Sequence, residues 1–298
     1  MNLPMDFLFS LLIAGACVGS VYALVAVGLN FTFWTTRTLN FGQGAVMMIC
    51  AITTAILASR GWNLWASLLV GIGIVAAIGV MVERLAVRPA LKAAGSLGWV
   101  ISTLGFGILL QGIAARLFGS QALAFPEMLF RASDVMSVAG QPLSLQYAAV
   151  FAVSVMTIGL LELLMRRTVF GSAVRAVAQD AELGEVQGLP VKWIVTGSFI
   201  ASSVLAGIAG VLVAQIGGTI DPAFGFELVL LGFVAAVVGG MGSSVGALVG
   251  GIAVGILSKL VGGYISTAAE HGIAFAVLVL VLALRPQGLF GRPEVTKA

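Results

Sequence analysis

The chain has 298 residues, 60% of them hydrophobic and only 9% charged, with a formal net charge of +3. Soluble domains carry about 25% charged residues, so this composition excludes a water-covered globule and fits a surface that faces hydrocarbon. So small a net charge gives no footing for nucleic acid.

Helices satisfy their own backbone polar groups inside a bilayer. The ten-residue alternating segments of a membrane barrel are absent. The expected fold is therefore all-α and polytopic, a single transmembrane domain over residues 1–298. About 20 apolar residues cross the hydrocarbon. In chain order, candidate spans fall near 7–33, 41–58, 64–82, 97–118, 145–164, 191–216, 227–240, 245–262 and 268–284. The seventh is short and meets the eighth at a glycine-rich turn. A re-entrant pair near 227–262 is the alternative to two full spans, and the expected number of transmembrane helices is about 8–10. Met1 to Asp6 carries no positive charge and no small-residue cleavage site follows, so the first run is expected to be retained.

Alternating sides across these spans puts Arg37, Arg84, Arg88, Lys92, Arg166, Arg167, Arg175, Lys192, Arg285, Arg292 and Lys297 together. Arg60, Arg116, Arg131 and Lys259 fall opposite, which accounts for all 15 basic residues. The basic side is expected to be cytoplasmic, with the amino terminus outside and the carboxyl terminus inside.

The first polar feature is LNFGQGAVMM, Leu39 to Met48, at the mouth of the second span. Asn40 and Gln43 are amides set among the glycines Gly42 and Gly44. Irregular backbone at membrane depth is tolerated where it is buried in protein or lines a water-filled cavity. Cys17 and Cys50 lie within apolar runs without metal-ligand spacing. They read as packing residues, and no metal or cofactor is expected. A second polar step is WVISTLGFGILLQG, with Ser102, Thr103 and Gln111. These side chains serve either as interhelical glue or as path lining, and the sequence favours neither.

The longest polar interruption on the basic side is RRTVFGSAVRAVAQDAELGEVQGLPVK, 166–192. It reads as a short amphipathic helix and a turn. Val174, Val177, Ala178, Ala181 and Leu183 form its apolar stripe. Arg175, Asp180, Glu182 and Glu185 are its polar positions, and Gly188 and Pro190 stop it. A solvated connector and a docking helix for a soluble partner both fit. Further on, GGMGSSVGALVGG, 239–251, lacks the lysine of a phosphate loop. Its Gly242, Gly246 and Gly250 read as small-residue helix packing.

Taken in order, LNFGQGAVMM, VISTLGFGILLQG, RAVAQDAELGEVQGLPVKWI, FVAAVVGGMGSSVGALVGG and LRPQGLFGRPE resemble the permease subunits of ABC importers for branched-chain amino acids. The similarity is greatest to the shorter of the two paired permeases and runs along nearly the whole chain. It implies an inner-membrane transport subunit that is not itself an enzyme. The implied partners are a second homologous permease, cytoplasmic ATP-binding subunits and an extracytoplasmic substrate-binding protein, all within membrane lipid. It places a coupling helix near Arg175 to Pro190, with Gly188 at the family's glycine. One departure stands out. Many members carry Asn-Phe-Ala-His-Gly where this chain has Asn40, Phe41, Gly42, Gln43 and Gly44. Gln43 cannot gain a charge near neutral pH as histidine can.

On this reading Asn40, Gln43, Ser102, Thr103 and Gln111 line the translocation path. Arg175, Asp180, Glu182, Glu185, Gly188 and Pro190 couple it to ATP hydrolysis elsewhere. Two rivals remain. One is an ion-coupled secondary transporter, disfavoured because no ionisable residue must sit at the midplane. The other is an intramembrane hydrolase using Ser243 or Ser244 with His271, which the topology separates by a bilayer.

Overall fold

The computed structural model describes residues 3–92, 98–128, 130–131, 133–138, 141–267, 269–285 and 287–291. Arg292 and Lys297, two of the charges used for orientation, lie outside them, as does the side chain of His271. Each of the nine candidate spans coincides with a helix to within a few residues. In order these are α1 (Leu3–Thr36), α2 (Gln43–Ser59), α3 (Leu64–Met81), α5 (Gly98–Phe118), α6 (Leu145–Arg167), α9 (Val191–Gly217), α10 (Phe224–Gly239), α11 (Ser244–Tyr264) and α12 (Ala269–Leu284). Among the described residues six helices are long and apolar enough to cross a membrane. The apolar stretches of α2, α10 and α12 are shorter.

Between the spans lie α4 (Arg88–Lys92), α7 (Val169–Gln179) and α8 (Ala181–Val186). Small strands also occur that helical periodicity does not announce. β1 (Leu123–Ala124) pairs antiparallel with β4 (Thr219–Ile220), and β2 (Val135–Val138) with β3 (Gln141–Ser144).

Close helix contact comes from small residues rather than from large interdigitating ones. A β-carbon on Gly15 would stand 2.6 Å from the Ile256 backbone, and one on Gly19 2.6 Å from the Gly251 carbonyl. Gly15 and Gly19 are four apart, as are Gly251 and Gly255, so two small-residue ridges meet and α1 and α11 run antiparallel. Without a hydrophobic force between helices in lipid, such close backbone approach is what binds them. The motif read at Gly242, Gly246 and Gly250 divides. Gly246 and Gly250 pack on α10, whereas Gly242 has φ +90° and belongs to the turn before α11.

α2 is enclosed at its start. Residues from Gln43 to Met48 are all buried, and it is walled by α3, α5, α9 and α10. α3 continues through a π-helical turn, Val82–Val87, into α4. Pro89 follows at once. A proline inside a helix clashes with the carbonyl four residues back, and the wider turn relieves that contact. The Arg88 N–H accordingly donates to the Glu83 carbonyl, five residues back.

The start of α1 and the segment after α12 lie at opposite ends of the bundle. Phe7 meets Tyr264 at the end of α11, with ring centroids 5.6 Å apart. At the other end Trp34 Nε1 donates to the Gly242 carbonyl at 3.0 Å, and the backbone N–H groups of Leu289 and Phe290 donate to Val238 and Gly239.

Candidate functional site

α1 stops at Arg37, whose φ of +57° is the only positive value among described non-glycine residues. Left-handed backbone costs a residue with a β-carbon roughly 1–2 kcal/mol. Two side-chain contacts offset it. Arg37 Nη2 donates to the Ala178 carbonyl of α7 at 3.1 Å, and its guanidinium stands 5.6 Å from the centre of the Phe33 ring.

From Arg37 the chain turns back into the interior. Leu39, Asn40 and Gln43 are all buried. Phe41 stacks on Trp99 of α5 and meets Phe233 of α10 edge-on. Asn40 Oδ1 accepts the Gly42 N–H at 3.1 Å, which sets the turn into α2. Its Nδ2 has no partner among the described residues, and neither does either amide atom of Gln43. The Gln43 carboxamide lies against Gly28 of α1, which also borders the Ser202 carbonyl of α9. The hydroxyls of Ser202 and Ser203 are likewise buried and unpartnered. Each buried polar group left unsatisfied costs about 1–3 kcal/mol. A pair of buried amides at a helix start is thus an expensive feature with no packing reason.

The other path candidates do not join this cluster equally. Thr103 is fully buried, and its hydroxyl donates back to Trp99 and Val100 within α5. Its carbonyl comes close to Gly42. Ser102 donates to the Ala86 carbonyl at 2.8 Å and so ties α5 to the π-helical turn, the glue role. Gln111 is half-buried, two turns further along α5.

The coupling candidates form a compact unit that corrects the single-helix expectation. Asp180, at φ −159°, breaks the element into α7 and α8. Its carboxylate accepts the Glu182 and Leu183 N–H groups at 3.1 and 3.0 Å, an N-cap. Val174 and Val177 are buried as the stripe requires, but Leu183 and Val186 of α8 point outward, 55% and 85% exposed. Arg175 stays exposed and folds back on its own segment, donating to the Met165 carbonyl and the Ser172 hydroxyl. Glu182 and Glu185 are exposed. Gly188 adopts φ +82°. The Gly188 and Leu189 N–H groups close the end of α8 onto Glu185 and Gly184, and Pro190 leads into α9.

Three residues that sequence reasoning missed belong to this end of the molecule. Arg37 and Ser202 are two, and Glu83 is the third. Glu83 is 3% exposed, its Oε1 is 2.8 Å from Arg88 Nη2, and its Oε2 accepts the Thr196 hydroxyl of α9 at 3.2 Å. The sequence signal for it was an acid and a base five apart around Pro89. Lys259 pairs with Glu270 at 2.5 Å.

Ser243 caps α11 by accepting the Gly246 N–H at 3.0 Å, and Ser244 is buried. The backbone of His271 lies beyond the far end of α11, whose 21 residues span about 30 Å at 1.5 Å each. No nucleophile–base dyad can form across that distance.

A small-residue-packed bundle, entered by a buried polar turn and tied at one end to a short amphipathic pair, defines a polytopic membrane transport subunit. The family model for the branched-chain amino acid transport system permease component matches residues 11–284. The high-affinity branched-chain amino acid transport system permease protein LivH of Escherichia coli (strain K12) is 33% identical, with 95% of each chain covered. BraD of Pseudomonas aeruginosa, a permease protein of the same description, is also 33% identical over 96% of each. A probable LivH of Methanocaldococcus jannaschii is 30% identical over 94% of this chain and 92% of its own. The chain belongs to the branched-chain amino acid transport permease family.

Proposed function

We propose that this chain forms one half of the translocation path of an ATP-driven importer for branched-chain or related amino acids. The other half is a second homologous permease. ATP-binding subunits dock on the α7–α8 face, and a substrate-binding protein delivers the ligand at the opposite face. The host is a bacterial inner membrane, with the amino terminus outside and the carboxyl terminus cytoplasmic. The chain performs no catalysis of its own.

The observation that carries this reading is the strained Arg37 and its bond to Ala178. It joins the docking element directly to the turn that positions Asn40 and Gln43. A push on α7 therefore reaches the buried amides through a few residues of chain. Their unpartnered atoms suit a closed gate whose open form gives them water or substrate. Leu183 and Val186 offer the exposed apolar contact that a docking partner needs.

Arg37→Gly tests the linkage, because glycine accepts the positive φ while the bond to Ala178 is lost. In the reconstituted complex the variant keeps basal ATPase but loses stimulation by loaded binding protein and most uptake. Unchanged uptake and stimulation would remove the proposal.

A further inference from the structure

At the end of the bundle that carries Arg37, an open cleft of ≈ 620 Å³ lies between the end of α1, the π-helical turn, α4, α7 and the start of α9. Its cations are Arg37, Arg88, Lys92 and Lys192, and its acids are Glu83 and Asp180. Both acids are already committed. Glu83 is held by Arg88 and Thr196, and the Asp180 carboxylate caps α8. Lys92 and Lys192 have no ion-pair or hydrogen-bond partner among the described residues. The cleft thus carries a positive charge that no described residue answers. The rest of its wall is apolar and includes Trp34, Val87, Leu91 and Val195.

We infer that this cleft binds the phosphate headgroup of an anionic phospholipid, with the upper part of its acyl chains on the apolar wall. Two lysines beside an arginine answer the phosphate charge, since basic pockets between membrane helices bind such headgroups. A soluble anion would use the same cations but would have no use for Val87, Leu91 and Val195. Leu91 of that wall is 49% exposed, and Trp193 at the start of α9 is 68% exposed. Tryptophan at that level is the usual marker of the headgroup region. The bound lipid bridges α4 to the start of α9. The site itself does not rest on the proposed substrate or on ATP coupling.

The test uses the full chain with the subunits that purify with it, in nanodiscs. Thermal protection is compared in dioleoylphosphatidylglycerol and in dioleoylphosphatidylcholine, and retained lipid is read by native mass spectrometry. Phosphatidylglycerol is expected to protect the wild type and to be retained. The pair Lys92→Gln with Lys192→Gln retains it on the order of tenfold less, because both lysines contribute to holding an anionic headgroup. Lys92→Arg with Lys192→Arg restores retention, which separates lost charge from misfolding. Arg60→Gln at the opposite end changes nothing. Equal protection by millimolar inorganic phosphate or ATP in phosphatidylcholine would make the site one for soluble anions and overturn the lipid. Undiminished phosphatidylglycerol retention in the double glutamine variant would overturn the site.

Discussion

The carboxamide of Gln43 on α2 occupies the volume that a β-carbon on Gly28 of α1 would fill. The two residues are 15 apart in sequence but lie on either side of the turn at Arg37. α1 therefore gives up a side chain so that α2 can begin with a buried amide. Neither the nitrogen nor the oxygen of that amide is bonded among the described residues. A packing role would be met more cheaply by a leucine, so the arrangement points to a second state in which the amide is used.

That difference is measurable in Gln43→Leu. Removing an unsatisfied buried amide is neutral or stabilising, so the thermal midpoint of the complex stays level or rises. Uptake falls by roughly tenfold, the equivalent of one lost hydrogen bond of about 1.4 kcal/mol. Parallel thermal-shift and uptake assays separate the two effects. A drop in both together would make Gln43 a structural residue.

Gly28→Val acts on the same contact from the other side. The new side chain drives the Gln43 amide from its place in a fully enclosed setting, and overpacking of this kind costs about 1–3 kcal/mol. Uptake is expected to fall, with a lowered thermal midpoint. The double variant Gly28→Val with Gln43→Ala regains the midpoint, because the volumes compensate, but does not regain uptake.

Gly188→Val tests the coupling element. With φ +82° at Gly188 and open space around it, the cost is backbone strain, about 1–2 kcal/mol, rather than a clash. The closure of α8, in which the Gly188 and Leu189 N–H groups donate to the Glu185 and Gly184 carbonyls, loosens, and α8 loses its fixed angle. ATPase stimulation by loaded binding protein drops while basal ATPase persists. Gly188→Asn, which tolerates left-handed backbone better, keeps a larger share. Charge reversal at exposed Glu185 is expected to weaken the same stimulation without affecting the thermal midpoint.

Glu83→Gln removes the buried partner of Arg88. Arg88 is 38% exposed, so water takes up part of the loss, and the expected destabilisation is about 1–3 kcal/mol. Thermal unfolding measures it. Glu83→Gln with Arg88→Met recovers most of the loss, because no uncompensated charge remains.

Much of the fold was legible because spans are written in composition. Long apolar runs between Arg37, Arg84, Arg166 and Lys192 leave few choices, and α3, α6 and α9 fall where their hydropathy places them. The site was legible only in part. Asn40 and Gln43 stood out as polar residues in an apolar setting, and the structure brings them together in one buried turn. It does not bring Ser102 and Gln111 to that turn, since Ser102 is committed to Ala86. Small-residue contact between Gly19 and Gly251 depends on which helices meet, and hydropathy does not contain that pairing. The same holds for Arg37 on Ala178 and Thr196 on Glu83, bonds between segments more than 100 residues apart in sequence. The break at Asp180 could have been read, because an aspartate before Ala181, Glu182 and Leu183 is an N-cap signal. It was masked by an apolar stripe that runs on through the break.

The energy source that drives transport is the most direct test. Leucine uptake is measured in proteoliposomes holding either this chain alone or the chain with its companion permease, ATP-binding subunits and binding protein. Uptake is predicted only in the full assembly with ATP inside reach of the ATP-binding subunits, and not under a sodium or proton gradient. Gradient-driven uptake by this chain alone, without ATP-binding subunits, would contradict it.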